Sequence, residues 1–138
     1  MSELTLWGEE IKSNPLHHWK GFEHHVCDVL KPKYPNAQEQ KSIGPKVNGR
    51  KHVVDVYIPE TRTLVSVKLQ NVGGTAEEKC PYEMFTLQRA CKKYGYSHAY
   101  IVLGGNGWTI KKDLYKINKL YSHVTLVEYE DDKNLSLI

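Results

Sequence analysis

The hydrophobic residues of this chain repeat with two periods, and these periods predict the order of its helices and strands. Over residues 16–31 the apolar positions Trp19, Phe22, Val26 and Leu30 recur every three or four residues, which is the spacing of one helix face. Other segments alternate apolar and polar residues or form short apolar runs, which are the patterns of strands. The predicted order is helix, three strands, helix, strand, helix and strand.

Turn-forming residues set the bounds of the remaining predicted elements. The breaker KPKYPN precedes a polar first strand, the turn PETR separates the second and third strands, and Gly95 ends the second helix. The predicted strands are 37–43, 50–58, 63–70, 98–105 and 123–129, and the further helices are 81–95 and 109–121. The predicted buried faces of these two helices are Met84, Leu87, Cys91 and Tyr94, and Ile110, Leu114, Ile117 and Tyr121.

The start of the second helix has two competing interpretations. Thr75 and Glu78 have the spacing of a capping box, which predicts a helix that starts at once and contains Pro81. Proline inside a helix removes a hydrogen bond and clashes with the preceding turn at a cost of about 3 kcal/mol, whereas proline as the first helical residue costs little. We therefore predict that the helix starts at Pro81 and that residues 71–80 form a loop.

The second and third strands each place polar side chains on one face. In the second strand, alternation sends Val54, Val56 and Ile58 to one face and Asp55 with Tyr57 to the other. The same alternation in the third strand turns one set of residues inward, namely Val65, Val67 and Leu69, and leaves Ser66, Lys68 and Gln70 on the opposite face.

The turn between these strands predicts their register. A four-residue PETR turn pairs Ile58 with Thr63, which places Asp55 opposite Ser66 and brings Asp55 and Lys68 to one wall of the sheet. One interpretation of this pair is a cross-strand ion pair on a solvated sheet face, worth up to about 1 kcal/mol. The other interpretation is a functional site.

Glu23 favours the functional interpretation. It follows Trp19 by four residues and precedes Val26 by three, so it lies on or beside the apolar face of the first helix. Ionised carboxylates avoid such positions unless they are paired or bound to metal. A glutamate at the edge of a helix can also reach solvent or pair with a neighbour such as Lys20.

Together these residue types fit a magnesium site for phosphodiester hydrolysis. Magnesium takes oxygen ligands such as those of Asp55 and Glu23, and it holds the phosphate that is cut. A lysine at the position of Lys68 orients or helps to deprotonate the attacking water, and it offsets charge on the pentacovalent phosphorus. Mn²⁺ is a possible substitute for Mg²⁺ in such a site.

With these residues in view, the chain resembles the PD-(D/E)XK nuclease superfamily of the restriction-endonuclease-like fold. The family pattern has an aspartate on one strand, then an acidic residue, any residue and a lysine on the next strand, and often a glutamate on the first helix. Here GFEHH supplies Glu23, VVDVYI supplies Asp55, and SVK supplies Lys68, 13 residues after Asp55. The resemblance implies an α/β fold with an αβββαβ core and a mixed central sheet flanked by helices, to which this chain adds a C-terminal helix and strand.

The sequence departs from the family pattern at two positions. Val54 replaces the proline, and Ser66 stands where the second acidic residue should be. Some restriction enzymes of the superfamily carry serine-x-lysine and a glutamate relocated to the following helix. The resemblance therefore implies that Glu83, or else Glu78 or Glu77, completes the metal site. Val67 is a further candidate metal ligand, and Gln70 is a candidate to bind metal-bound water or a phosphate oxygen, or else an ordinary polar strand residue.

Basic residues flank the predicted site and are candidates for contacts with DNA phosphates. The loop GPKVNGRKH lies between two strands just before Asp55, where it could enter a groove and contact bases. The lysines of the last helix are more typical of a solvated exterior. The candidate nucleic-acid-binding residues are Lys41, Lys46, Arg50, Lys51 and Lys79.

Other chemistry is not favoured by the sequence. The histidine pairs at 17–18 and 24–25 are seven residues apart, whereas a helical metal pair needs a spacing of four, so zinc is not predicted. The three cysteines have no CxxC spacing and are expected to be reduced packing residues. The glycines of LGGNGW are interpreted as a plain turn before a helix, because no GxxxxGK pattern follows them.

Length and composition agree with a single nuclease domain over residues 1–138. The chain has 40% hydrophobic and 25% charged residues and no apolar run long enough for a membrane helix, and its first fifteen residues do not resemble a signal peptide. We expect a cytoplasmic location, with a nucleoid-associated or nuclear one as the alternative. The net charge of +3 fits a polyanionic partner.

The expected function is that of a magnesium-dependent endonuclease that cuts double-stranded DNA at specific sites, as restriction or homing enzymes do. A homodimer is expected, because two cutting sites serve two strands. No membrane and no small-molecule cofactor is expected. The alternatives are a Holliday-junction resolvase or other structure-specific nuclease, and a catalytically inactive DNA-binding module that lost its second acidic residue at Ser66. A structural subunit in which Lys68 pairs with Asp55 is a further alternative.

Overall fold

The computed structural model of the chain describes residues 18–73 and 76–138. Its element order is the predicted one, with a short 3-10 helix added at the end, and each predicted strand agrees with an observed strand to within about two residues at either end. The elements are α1 (Trp19–Leu30), β1 (Gln38–Pro45), β2 (Lys51–Ile58), β3 (Thr63–Leu69), α2 (Ala76–Tyr94), β4 (His98–Gly104), α3 (Lys111–Asn118), β5 (Val124–Glu128) and the 3-10 helix Asp132–Leu137.

The strands form one mixed five-stranded sheet in the order β1-β2-β3-β4-β5. The first three strands are antiparallel neighbours, and β4 and β5 are added in parallel. The predicted turn register is confirmed, because Ile58 pairs with Thr63. The helices within the described residues are all too short or too polar to cross a lipid bilayer.

Helices cover both faces of the sheet, so the core has two parts. On one face, α1 buries Phe22 and Val26 against β2 and β3, in a cluster that includes Val65. On the other face, α2 and α3 pack against the sheet, in a cluster that includes Met84 and Leu114. Strands β2 and β3 thus lie between two helical layers, and a polar side chain on either of them is removed from water unless it lies near the end of its strand.

The first helix begins at Trp19, after His18, whose ring Nδ1 accepts a hydrogen bond from the main-chain N–H of Lys20 at 3.2 Å. Phe22, Val26 and Leu30 are buried as predicted. The prediction for Trp19 was wrong, since its side chain is 50% exposed. Trp19 is the first residue of the helix, so its side chain extends beyond the sheet that the rest of the apolar face covers.

The prediction for the start of the second helix was also wrong. Helix α2 already includes Ala76, and Pro81 lies inside it. The first turn is held by side chains of the fold, because the main-chain N–H of Glu77 donates to Oε1 of Gln70 at 3.2 Å. Such anchoring offsets the cost of a proline that removes one hydrogen bond near the helix start. Thr75, the proposed capping residue, lies outside the described residues.

The last helix is shorter than the predicted 109–121, since α3 spans Lys111–Asn118. Thr109 lies before the helix, and its main-chain N–H and its hydroxyl both donate to the carboxylate of Glu77. Leu114 is fully buried as predicted, and Ile110, Ile117 and Tyr121 pack against the same core cluster.

Strict alternation fails within β2. Val56 and Ile58 pack in the α1 cluster, but Val54 packs with Tyr57 in the α2 cluster, which contradicts the prediction that the three share a face. The change occurs at Asp55, opposite an irregular position of β1 where Gln40 has a positive φ of 57°. A positive φ is uncommon at residues other than glycine, and such residues cluster at functional sites.

The glycines of LGGNGW do more than form a turn. Gly105 has a φ of +88°, and a Cβ at this position would lie 2.4 Å from the main-chain oxygen of Gln70. A Cβ at Gly107 would lie 2.5 Å from the main-chain nitrogen of Val72. The absence of side chains therefore lets the loop after β4 pack directly on the loop after β3.

We expect Gly105→Ala to lower the free energy of unfolding by at least about 2 kcal/mol, because it combines a left-handed backbone with a clash against main-chain atoms. Gly49→Ala is the matched control. Gly49 has a φ of +83°, but a Cβ added there would meet nothing within 4 Å, so this variant carries the backbone strain alone. Urea unfolding of both variants measures the difference, and equal losses would contradict the close packing of the two loops.

Candidate active site

Asp55 lies where β2 and β3 separate. Their paired residues end at Val56 and Val65, so Asp55 and Ser66 are not joined by the regular ladder. Instead, the main-chain N–H of Val67 donates to Oδ2 of Asp55 at 2.6 Å. The carboxylate thus occupies the gap between the two strands and is fixed in position by the backbone of the strand that carries Lys68.

Glu23 reaches the same gap from α1. Its side chain is buried, with 6% of its surface exposed, and its Oε1 accepts a hydrogen bond from Nε2 of Gln40 at 2.9 Å. Asp55 lies close to Glu23, since its charge and its side-chain hydrogen-bonding both act to raise the pKa of Glu23. Burial, followed by the negative charge of Asp55, raises the pKa of Glu23 to about 7.

The pKa of Asp55 is raised as well, mainly by burial. The hydrogen bond from Val67 and the positive charge of Lys68 act in the opposite direction, while the charge of Glu83 adds to the increase. Asp55 thus accepts a hydrogen bond from the backbone of β3, while Glu23, with a pKa of about 7, holds a proton below neutral pH. Two buried carboxylates in contact are typical of a site that binds a cation.

Gln40 was not identified from the sequence. It lies on the edge strand β1, between the residues that pair with Val54 and Val56, and so faces Asp55 across the strands. Its left-handed backbone is unusual for a residue other than glycine and costs about 1 kcal/mol or more. The side chain in return holds Glu23.

Lys68 lies on β3, partly exposed, toward the end of the strand. Its positive charge lowers the pKa of both Glu23 and Asp55, so its ammonium group acts on the carboxylate pair. Ser66, two residues earlier, is 1% exposed, and its hydroxyl has no hydrogen-bond partner within the described residues. The structure thus brings Asp55, Glu23 and Lys68 together around one gap.

The three glutamates considered for the second acidic position have different surroundings. Glu83 lies in α2, partly exposed, and its negative charge raises the pKa of Asp55. Glu78 is exposed, also in α2. Glu77 is buried, with 4% of its surface exposed, and its oxygens already accept hydrogen bonds from the fold. Of the three, Glu83 is the one whose charge acts on Asp55.

Glu77 and Gln70 form a buried network that connects three segments. Nε2 of Gln70 donates to Glu77 at 2.8 Å and to the main-chain oxygen of Gly107 at 2.9 Å. Thr109 donates to Glu77 through its main-chain N–H at 2.9 Å and through its hydroxyl at 2.6 Å. These hydrogen bonds lower the pKa of Glu77, with those from Thr109 contributing most. The network fixes the start of α2, and with it the position of Glu83, relative to the strand of Lys68.

His52 is a second residue that the sequence analysis missed. It lies in β2, its side chain is 3% exposed, and its Nε2 is buried without a hydrogen-bond partner among the described residues. The charges of Glu83, Lys46 and Lys68 act on the ring. The alternation of β2, in which His52 precedes the buried Val54 by two residues, was the available signal for its burial.

A statistical model of the PD-(D/E)XK nuclease superfamily domain matches residues 6–121 of the chain. This match covers most of the sequence and includes Glu23, Asp55 and Lys68. The chain belongs to the PD-(D/E)XK nuclease superfamily. No curated protein and no solved structure shows significant similarity to it.

The mixed sheet with helices on both faces agrees with the fold of the PD-(D/E)XK superfamily. The function that membership supports is that of a nuclease in general. From the sequence, Asp55 is assigned to the aspartate position and Lys68 to the lysine position of the family motif, and both residues lie within the matched range. This assignment stays a prediction. Val67, between Ser66 and Lys68, has a buried apolar side chain and contributes its main-chain N–H to Asp55.

The carboxylates of this PD-(D/E)XK domain fit a divalent cation with oxygen ligands. Asp55 and Glu23 are carboxylates whose pKa values are both raised by burial, so a cation between them would offset their negative charge, and the charge of Glu83 acts on Asp55. Within the described residues, no three His, Cys, Asp or Glu side chains are already grouped as a metal site.

The basic residues considered for nucleic-acid contacts lie on the β1-β2 hairpin and on α2. The hairpin is closed by the main-chain N–H of Lys46, which donates to the oxygen of Arg50 at 2.7 Å. Its base is fastened to α2, since Arg89 donates to the main-chain oxygen of Pro45 at 3.1 Å. The Lys41 ammonium lies 5.9 Å from the centre of the Tyr57 ring. The exposed members of the set are Arg50, Lys51 and Lys79.

Proposed function

We propose that this chain is a divalent-metal-dependent endonuclease that hydrolyses phosphodiester bonds in double-stranded DNA. The observation that carries the proposal is the buried contact between Glu23 and Asp55, beside Lys68, in a chain of the PD-(D/E)XK superfamily. A like-charged pair in a buried position is costly unless a proton or a cation neutralises it. Mg²⁺ is the proposed physiological ion, and Mn²⁺ is its proposed substitute.

In the proposed reaction, each residue has a separate task. Asp55 and Glu23 hold the cation, with Glu83 as the third carboxylate in place of the acidic residue that Ser66 replaces. When bound, the cation supplies positive charge at the phosphate and lowers the pKa of a coordinated water. Lys68 orients the attacking water, helps to remove its proton and offsets the negative charge that develops on the phosphate oxygens.

The hairpin between β1 and β2 supports DNA as the substrate. It carries Lys46, Arg50 and Lys51 and leads directly into the strand of Asp55. Lysine and arginine side chains of this kind neutralise backbone phosphates and make binding sensitive to salt. A homodimer is proposed because two such sites are needed to cut both strands at one place.

The direct test is to incubate the purified protein with supercoiled plasmid and with phage genomic DNA in Mg²⁺, Mn²⁺ or EDTA. Metal-dependent nicking or discrete fragments are expected, and the fragment ends give the sequence preference. A four-way junction and a linear duplex of the same sequence separate the proposed activity from that of a structure-specific nuclease. Preferential cutting of the junction would show that the protein resolves junctions and is not a site-specific endonuclease.

A second candidate function is an inactive DNA-binding module. It is favoured by Ser66 at the acidic position and by the fact that no three metal-binding side chains are yet grouped within the described residues. Calorimetric titration with Mn²⁺ separates the two functions. An inactive module binds DNA but gives no saturable metal binding, whereas the proposed nuclease gives both.

We expect Glu83→Gln to reduce cleavage by at least about tenfold, because removal of a carboxylate that approaches the cation weakens metal binding. Glu78→Gln is the matched control, since Glu78 lies in the same helix but is exposed. Initial rates across a range of Mg²⁺ concentrations measure the effect. A loss of cleavage in Glu78→Gln, together with wild-type cleavage in Glu83→Gln, would identify Glu78 as the third carboxylate.

A further inference from the structure

His52 lies beneath α2 on the face of the sheet that carries the α2 core. Val54, two residues later in β2, packs there with Cys80 and Met84 of α2. The chain around His52 is held against this helix, because the Arg89 guanidinium binds the main-chain oxygen of Pro45 at the base of the hairpin. His52 is therefore enclosed between β2 and the first half of α2.

The Nε2 atom of His52 is buried and has no hydrogen-bond partner within residues 18–73 and 76–138. A buried polar atom without a partner destabilises a fold, and such groups are retained where function needs them. An apolar side chain would fill the same space without this penalty. The position thus carries a hydrogen-bonding group that the metal-free fold does not use.

The charged groups that act on the His52 ring are Glu83, Lys46 and Lys68. Glu83 is the only acidic group of the three, and its charge also acts on Asp55. Burial lowers the pKa of His52, the negative charge of Glu83 raises it, and the two lysines lower it further. A neutral imidazole can donate one hydrogen bond from Nε2 to a carboxylate.

We propose that His52 is a positioning residue for Glu83, and that its Nε2–H donates to one carboxylate oxygen of Glu83 when the other oxygen approaches the cation at Asp55. This inference rests on the proposed function. The family pattern has an acidic residue on the strand where this chain has Ser66. The proposed contact explains how a glutamate on a helix can take over the role of that residue. Carboxylates that bind a metal are themselves held by hydrogen bonds from outer partners, and the buried Nε2 of His52 is suited to such a contact.

The test combines Mn²⁺ titration, DNA cleavage and thermal unfolding for His52→Leu, His52→Gln, Glu83→Gln and the double variant His52→Leu with Glu83→Gln. His52→Leu is expected to weaken Mn²⁺ binding by about tenfold, as the loss of such an outer contact does. His52→Gln keeps an N–H donor and is expected to lie nearer to the wild type. The double variant is expected to bind Mn²⁺ no more weakly than Glu83→Gln alone, because His52 acts through Glu83.

Thermal unfolding without metal gives a second readout. His52→Leu is expected to have a Tm equal to or above that of the wild type, since it removes an unpartnered polar atom. His98→Leu is the matched control. Nε2 of His98 hydrogen-bonds to the hydroxyl of Thr125 at 2.8 Å, so this variant is expected to lower the Tm and to leave Mn²⁺ binding unchanged.

Three results overturn the inference. The first is a wild-type Mn²⁺ affinity in His52→Leu. The second is a double variant in which the losses of Mn²⁺ affinity from His52→Leu and Glu83→Gln add. The third is a Tm that falls in both His52 variants, as it does in His98→Leu. Failure of the proposed function is distinguishable from all three. It appears in the wild-type protein itself, as an absence of both saturable Mn²⁺ binding and metal-dependent cleavage.

Discussion

Replacing Lys68 with alanine is expected to reduce DNA cleavage to background, a loss of at least about a hundredfold, which is the contribution typical of a general acid or base. DNA binding is expected to stay close to that of the wild type. The reason is that the proposed phosphate contacts are made by the hairpin, whereas Lys68 lies beside the carboxylate pair, where its charge acts on Glu23 and Asp55.

Single-turnover cleavage of plasmid DNA and fluorescence anisotropy with a labelled duplex in Ca²⁺ measure the two quantities separately. Lys112→Ala is the matched control, because Lys112 is exposed on α3. It removes the same charge and should change both measurements little. Retention of cleavage in Lys68→Ala would show that Lys68 does not take part in the reaction. It would also contradict the assignment of the third strand as the catalytic strand.

Most of the fold could be predicted from periodicity. The antiparallel pair β2-β3 is fixed by a short turn and by alternation, and both operate over a few residues, so the register of Ile58 with Thr63 was predicted correctly. The start of α2 was not predicted correctly. The cost of Pro81 is local and visible in the sequence. The contacts that offset it depend on the folded structure, because Gln70 lies beyond the end of β3 and Thr109 lies 32 residues after Glu77.

The site was predictable where the residue type conflicts with its surroundings. Glu23 on an apolar helix face was such a conflict, and its burial is confirmed. Lys68 inside a strand was another. His52 and Gln40 gave weaker signals, because a histidine or glutamine at a strand position is compatible with solvent. Their importance depends on what faces them, which alternation alone does not define.

The network of Glu77 and Gln70 shows the opposite case. Both residues have types suited to a metal site and lie near Lys68 in sequence, so the sequence nominated them. The structure shows their polar atoms paired with each other and with Thr109. We expect their contribution to be the placement of α2 and of Glu83, which is why neither is part of the proposed catalytic set.

In metal-free buffer, the protein is expected to lose stability as the pH rises from about 5 to about 8, and Glu23→Gln is expected to remove most of this loss. The pKa of Glu23 is raised from 4.5 to about 7 in the folded protein. Between these values the folded state binds more protons than the unfolded state, so the free energy of unfolding falls as pH rises and levels off above about 7. The shift corresponds to up to about 3 kcal/mol.

Urea unfolding at several pH values measures this dependence, with Glu130→Gln as the control, because Glu130 is exposed. The raised pKa of Asp55 acts in the same direction and leaves a smaller slope in Glu23→Gln. A cation that binds the two carboxylates must displace the proton on Glu23. Mg²⁺ is therefore expected to raise the stability of the wild-type protein at pH 8 and to have little effect at pH 5. Stability that is constant with pH in the wild type would show that the two carboxylates are not in contact. The same result would remove the observation on which the proposed metal site rests.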